Sequence, residues 1–279
     1  ETEKIKSLDK NDLKSAVLPI TFPVSEKSGA LKKAMDNLCS QVSKCIENGA
    51  TIIVLSDRGV DDRNAAIPSL LAVSGVHHHL LQNKTRTKVG LVIESGEPKE
   101  MMHFALLIGY GAGGVCPYLA YETALETVKE NIFVKDVKPE LAVSNYIKST
   151  RKGLFKIIAK MGISTIQSYR GAQIFEAVGL NDEFVSQFFT GTPSRVGGAG
   201  IDIVEREVLS RHQLAYAKVH HLPDTLDAGG SYHWRRGGEE HMINPNSIAL
   251  LQHATRSNDY GLFKKFSRNA DEENTRRCT

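Results

Sequence analysis

The sequence predicts an α/β protein built on a parallel β-sheet of βαβ units. Three observations point there. Short β-branched apolar runs recur through the first two thirds of the chain, apolar at successive positions as in strands buried on both faces. Amphipathic stretches with apolar residues at helical spacing separate them, and glycines stop those stretches. Strands alternating with helices are the pattern of βαβ units around a parallel sheet.

The elements follow in chain order. "AVLPITF" at 16–22 reads as a strand. The next stretch places Leu31, Met35, Leu38, Val42, Cys45 and Ile46 on one helical face and ends at Gly49. "TIIVLSD" at 51–57 is a second strand, and a helix with Pro68 near its first turn covers "IPSLLAVSGVHHHLLQ". "KVGLVIES" at 88–95 is a third strand. "PKEMMHFALLIGYGA" is a helix with a glycine stop, and "GGVCPYLA" holds a fourth, shorter strand. A doubly wound sheet and a (β/α) barrel both fit, and periodicity does not choose between them. In either, the residues after the strands face the crevice where ligands bind. Those residues are Asp57, Arg58 and Glu94.

After Tyr118 the character changes. "YETALETVKENI" and "VSNYIKSTRKGLFKIIAKMG" read as helices. In "MGISTIQSYRGAQIFEAVGL" at 161–180, Gly162 and Gly179 read as helix stops, 163–168 as an extended run and 171–178 as a brief helix. Gly171→Val is expected to disrupt it. A glycine-rich passage "TGTPSRVGGAG" precedes the helix "IDIVEREVLSRHQLAYA", whose early Asp202 and late Arg211 and His212 match the helix dipole. Residues 222–247 are polar, glycine-rich and aperiodic, and read as a long crossing segment. The tail from Tyr260 begins as an amphipathic helix. There is no internal repeat.

Composition narrows the function classes. Apolar content of 41% and charged content of 24% are those of a folded globular chain. A formal charge of +3 with no basic stripe argues against nucleic acid. No apolar run approaches a bilayer span, and the charged start is not a secretory signal. The first residue is Glu1, which suggests an excised or processed segment. Cys39, Cys45, Cys116 and Cys278 form no C-x-x-C pair, so free thiols are expected rather than a disulfide framework or a cysteine-held metal.

Each chemical signal has a plain structural counterpart. His77, His78 and His79, with His103, suggest a metal, but consecutive helical residues point apart and no i, i+4 pair is present. Asp57, Arg58, Asp61, Asp62 and Arg63 form either a ligand-facing loop or an ion-paired loop that caps the next helix; the second is preferred. The passages "GYGAGG" and "TGTPSRVGGAG" lack the lysine of a phosphate-binding loop and read as tight turns. Glu94 and Glu97 flank Gly96 without any argument that they share a site. No activated nucleophile stands out, and Gln167, Tyr169, Arg170 and Gln173 supply neither nucleophile nor base. Arg170 and Gln173 are expected to fix a junction by hydrogen bonds.

Several long stretches resemble the large chain of glutamate synthase. They are "LSDRGVDDRNAAIPSLLAVSGVHHHLL", "VGLVIESGEPKEMMHFALLIGYGAGGVCPYLAYET", "KMGISTIQSYRGAQIFEAVGL", "FFTGTPSRVGGAGIDIVERE" and "YHWRRGGEEHMINP". The resemblance runs from about Ser15 to the tail in one order. It implies a multidomain parent in which a glutaminase domain releases ammonia from L-glutamine. The ammonia travels through a tunnel to an FMN-binding barrel, where 2-oxoglutarate becomes L-glutamate. Electrons arrive through a 3Fe–4S cluster, from ferredoxin or an NAD(P)H-linked partner.

By that resemblance, residues 1–185 are the central domain and 186–279 the segment leading into the FMN-binding domain. The implied fold is an incomplete (β/α) barrel-like one with a helical and irregular C-terminal extension. The implied role is a non-catalytic scaffold between the glutaminase and FMN-binding domains of the same chain, helping to enclose the ammonia tunnel. No family catalytic, cofactor-binding or metal residue falls on a position of this sequence, so none is assigned, and no cofactor is expected here. FMN and the 3Fe–4S cluster belong to the full-length parent, with no nucleic acid or membrane partner. The parent is an oxidoreductase, and this segment alone is expected to be inactive. The implied compartment is the cytoplasm, or a plastid in a photosynthetic eukaryote. The alternative is an independent flavin- or phosphate-binding enzyme using the strand-end loops, and a third reading is a free-standing interaction module.

Overall fold

A computed structural model of the chain describes residues 2–10, 12–25, 28–130, 137–216, 229–230 and 233–276. Cys278, the end of the helix expected through Ile132, and residues 222–228 and 231–232 of the expected crossing segment lie outside them. The chain divides into two compact units, Glu1–Ala217 and Lys218–Thr279.

The first unit begins with α1 (Thr2–Lys6), β1 (Asp9–Lys10), β2 (Leu13–Pro19), β3 (Thr21–Pro23) and α2 (Ala30–Glu47). It continues with β4 (Ile52–Ser56), β5 (Asn64–Ala66), α3 (Ser69–Gln82), β6 (Gly90–Glu94), α4 (Met101–Gly109), β7 (Gly114–Cys116) and α5 (Tyr118–Lys129). Then come α6 (Pro139–Lys160), α7 (Ile166–Tyr169), β8 (Ala177–Leu180), α8 (Asp182–Phe188), β9 (Ser194–Ala199) and α9 (Ile201–Ala215).

The main sheet has the order β1-β2-β4-β6-β7. Strands β2, β4, β6 and β7 are parallel, and β1 is antiparallel to β2, so the sheet is mixed but mostly parallel. The expected first strand is two elements: β2 ends at Pro19, which has no N–H to continue a ladder, and β3 pairs with β5 in a separate ribbon. The order never reverses, so the sheet has no crevice of the doubly wound kind. Nor does it close into a barrel among the described residues.

Register sorts the strand residues into two faces. Leu18, Leu55, Ile93 and Val115 lie side by side and belong to the large core with Leu31, Met35, Leu38 and Val42 of α2 and Leu71, Val76 and Leu80 of α3. The alternate row is Val17, Val54, Val92 and Gly114, followed at the strand ends by Pro19, Ser56, Glu94 and Cys116. Two glutamates tie helices into this core. Glu205 of α9 accepts the backbone N–H groups of Gly29 at 3.0 Å and Leu31 at 2.9 Å, satisfying the start of α2, which has no cap of its own. Glu97 accepts the Ser69 N–H and hydroxyl, both at 2.7 Å, at the start of α3.

The stretch 161–180 differs from expectation. Gly162 does stop α6: at φ +70° its N–H donates to Ala159, and the Ile163 N–H donates to Ile158. The run expected to be extended contains the helical turn α7, started by Thr165, whose hydroxyl accepts the Ser168 N–H at 3.1 Å. The brief helix expected over 171–178 is absent; 177–180 form β8, parallel to β9. Gly179, at φ +76°, is no helix stop but sits where the β8–β9 register shifts. The glycine-rich passage is therefore β9, a strand rather than a turn.

The second unit contains α10 (Pro245–Ser257) and α11 (Tyr260–Arg276). Asn244 accepts the N–H groups of Asn246 and Ser247, and Ser247 answers the Asn244 N–H, a reciprocal cap ahead of a proline at the first helical position.

Candidate functional site

The parallel strands of the main sheet end together, and β4 and β6 bring their C-terminal residues to one place. Ser56 and Glu94 are register partners, and Asp57, Arg58 and Ser95 follow directly. Glu94 is fully buried. Its carboxylate accepts from the Ser56 hydroxyl at 2.6 Å, from Arg58 Nε at 2.9 Å and from Lys6 Nζ at 2.7 Å. Burial alone would raise this carboxyl. The hydrogen bonds from Lys6, Ser56 and Arg58, with the charge of Lys6, outweigh it and hold the group below its ordinary value.

Asp57 is the second buried carboxylate. It accepts from the Ser95 hydroxyl at 2.6 Å and the Gly96 N–H at 3.0 Å, with a further hydrogen bond from the Tyr118 hydroxyl. Here burial wins: the carboxyl lies above its ordinary value despite those three donors, and the nearby charge of Glu97 pushes the same way. Arg58 stacks over the Tyr118 ring at 4.0 Å and approaches Glu122 at 3.6 Å. Burial and the bond to Asp57 raise the Tyr118 hydroxyl.

The structure thus brings together all three strand-end residues expected from sequence and adds Lys6, Ser56, Ser95 and Tyr118. The rest of the 57–63 loop stays apart. Asp61 accepts the N–H groups of Arg63 at 3.0 Å and Asn64 at 2.8 Å, shaping the turn into β5. It does not cap α3 as expected; Glu97 does. Arg58 pairs with Glu94 rather than with a loop aspartate. Glu94 and Glu97 serve separate partners.

The histidines also part company. His77 is buried, and its Nδ1 accepts from Arg86 Nε at 2.9 Å. Burial, then the charges of Arg86, His78 and Arg170, lower it to about 4. The two ring nitrogens of His78 lie 2.9 Å from the Ser74 carbonyl and 3.1 Å from the Thr190 carbonyl, and His79 meets the Ser43 hydroxyl at 2.8 Å. His103 accepts the Lys99 and Glu100 N–H groups at Nδ1. No group of three metal-ligating side chains is found among the described residues. Cys39, Cys45 and Cys116 are free, and burial pushes the Cys39 thiol up to about 11. In the 161–180 stretch, Arg170 donates to Gln167 in its own turn and also lies against Gly113, and the Gln173 side chain lies against Gly191.

A cavity of about 1070 Å³ opens beside this cluster, lined by residues from the start of α3, the loop after β6, α4 and α5, with Tyr146 of α6 and Arg211 of α9. Sequence reading missed it, because its walls come from segments with no shared motif.

Comparison with known proteins places these features. The family model "Glutamate synthase central domain" matches residues 1–181. The NADPH glutamate synthase large chain of Bacillus subtilis is 44% identical over 269 residues, 96% of this chain and 17% of that one. The NADH glutamate synthase of Schizosaccharomyces pombe is 38% identical, covering 100% of this chain and 13% of that one. The chloroplastic ferredoxin-dependent enzyme of Spinacia oleracea is 39% identical, covering 88% and 16%. The chain therefore spans less than a fifth of these relatives. Among solved structures, the flavin-binding domain of baker's yeast flavocytochrome b2 aligns at TM-score 0.38 and 18% identity, covering 61% of this chain and 37% of that one.

Proposed function

The chain belongs to the glutamate synthase central-domain family, and from that premise we propose that it is a non-catalytic scaffold within a longer glutamate synthase chain. It joins the glutaminase and FMN-binding domains and helps to enclose the ammonia path between them. Residues 1–185 form the central domain, and 186–279 lead into the FMN-binding domain. The open, progressively ordered sheet is an incomplete relative of a (β/α) barrel. In the longer protein, L-glutamine and 2-oxoglutarate yield L-glutamate, with FMN, a 3Fe–4S cluster and electrons from ferredoxin or an NAD(P)H-linked partner. The compartment is the cytoplasm or, in a photosynthetic eukaryote, the plastid.

One observation carries this reading. At the strand ends, where α/β enzymes bind their ligands, Glu94 and Asp57 are already answered by Lys6, Ser56, Arg58, Ser95, Gly96 and Tyr118. A network whose members answer one another rigidifies a fold, and both buried carboxylates here already have their hydrogen-bond partners. Tight packing matters for such a scaffold because ammonia that meets bulk water at neutral pH becomes ammonium and loses its nucleophilic lone pair.

The test is titration of the 279-residue chain with FMN and with 2-oxoglutarate. A folded sample that binds neither saturably supports the scaffold. Stoichiometric binding of either would overturn it in favour of an independent enzyme working from Asp57, Arg58 and Glu94.

A further inference from the structure

The cavity beside the strand-end cluster plays no part in the scaffold role, and its chemistry is specific. Its apolar surface comes from Leu106 and Leu107 of α4 and Leu119 of α5, among others. Its volume of about 1070 Å³ suits a small organic molecule. It lies past the C-terminal end of β6, on the side of a parallel sheet where ligands gather.

The polar groups on its wall divide into engaged and free. Tyr146 donates its hydroxyl to the Lys99 carbonyl, and Thr123 donates to the Leu119 carbonyl. Glu97 is committed to Ser69 at the start of α3, so its negative charge is balanced by the helix dipole. Lys99 and Arg211 are exposed and have no acidic partner among the described residues. His103 accepts two backbone N–H groups at Nδ1, which fixes its proton on Nε2 as a donor. The uncommitted groups are two cations and one N–H donor beside an apolar surface.

We propose that this cavity binds an amphipathic monocarboxylate, with its apolar body against Leu106, Leu107 and Leu119 and its carboxylate held by Lys99, His103 and Arg211. A carboxylate matches the planar fork of arginine and accepts from lysine and imidazole. A single charge keeps the desolvation cost low in a mostly apolar chamber. A cationic amphipath would meet Lys99 and Arg211 with repulsion, and a neutral one would leave all three donors unanswered.

Octanoate, octan-1-ol and octylammonium, all below their aggregation limits, test the idea on the 279-residue chain with ¹³C-labelled leucine methyls. Octanoate is expected to shift the Leu106, Leu107 and Leu119 methyls saturably. Octan-1-ol is expected to bind at least tenfold more weakly, and octylammonium not at all. The double variant K99Q/R211Q, changed only at exposed side chains, should weaken octanoate at least tenfold and leave octan-1-ol unchanged. Circular dichroism checks that the variant is folded. Absence of saturable shifts, equal affinity for the three probes, or an unchanged octanoate Kd in the double variant would each overturn the proposal.

Discussion

Tyr169 is fully buried among Ala105, Leu154 and Ile158, with its ring edge-on to Phe175 at 6.4 Å, yet its hydroxyl has no partner among the described residues. Burial accordingly raises its pKa. A buried hydroxyl without a hydrogen bond pays desolvation for nothing, a cost of about 1–3 kcal/mol. Tyr169→Phe keeps the ring and removes that cost, so it should stabilise the chain by about 1 kcal/mol. Urea unfolding of both proteins measures it. A loss of stability of similar size would mean that the hydroxyl is bonded to a buried water that Phe expels. The strand-end residues teach the opposite lesson about legibility. Asp57, Arg58 and Glu94 could be read from sequence because they directly follow apolar strand runs. Lys6 could not, since it lies 88 residues from the Glu94 it neutralises, and no local pattern encodes such a pairing.

Helix endings in this fold reuse one device. After α2, α4 and α6 a glycine takes the left-handed conformation, but after α3 the position is Lys84 at φ +57°. Its N–H donates to Leu81, and the Thr85 N–H donates to Leu80, the same paired closure. A side chain there pays roughly 1 kcal/mol that glycine does not, so Lys84→Gly should raise the stability of the first unit by up to that amount. An unchanged or lower urea midpoint would contradict it. The converse holds at Gly171, φ +72°, where an added Cβ meets nothing within 4 Å. The cost of Gly171→Val is therefore backbone strain rather than collision, about 1–3 kcal/mol. Gly171→Asn, which tolerates this conformation, should lose clearly less; equal losses would point to contacts instead. The same glycines explain the misread elements. Strands β4 and β6 were legible because both faces are buried, and α2 because its stripe runs through 18 residues. In 161–180, positive-φ glycines replace periodicity, so turn and strand exchanged places. The sequence "NPNS" before α10 did hold a readable signal, an Asn cap with proline next and serine three positions on.

At the scale of the whole chain, the buried charges set how stability depends on pH. The His77 imidazole is held to about 4 in the folded chain against 6.5 when exposed. Between those values the unfolded chain binds a proton that the folded chain refuses. Stability is therefore complete above about pH 6.5 and falls as the pH drops toward 4, by at most about 1.4 kcal/mol per pH unit from this group. Burial lowers His79 in the same direction. The two strand-end carboxylates act in opposite senses. Glu94, held below its ordinary value, withdraws stability only as the pH falls through the carboxylate range, and Asp57, held above, opposes it there. Because burial shifts Asp57 upward toward the same interval, the difference between the parent and His77→Gln, not the interval itself, isolates one histidine, since a glutamine carbonyl can still accept from Arg86. Trp234, the single tryptophan, lies in the second unit, so its fluorescence would report the wrong part of the chain. Amide protection factors at Val54 and Ile93, in the strands that end at the charged cluster, report the first unit directly. In the parent chain they should fall from pH 7 to pH 5. In His77→Gln the fall should be shallower by several-fold at pH 5. Parallel pH profiles for the two proteins would show that Arg86 and His77 do not set the acid limit of this fold.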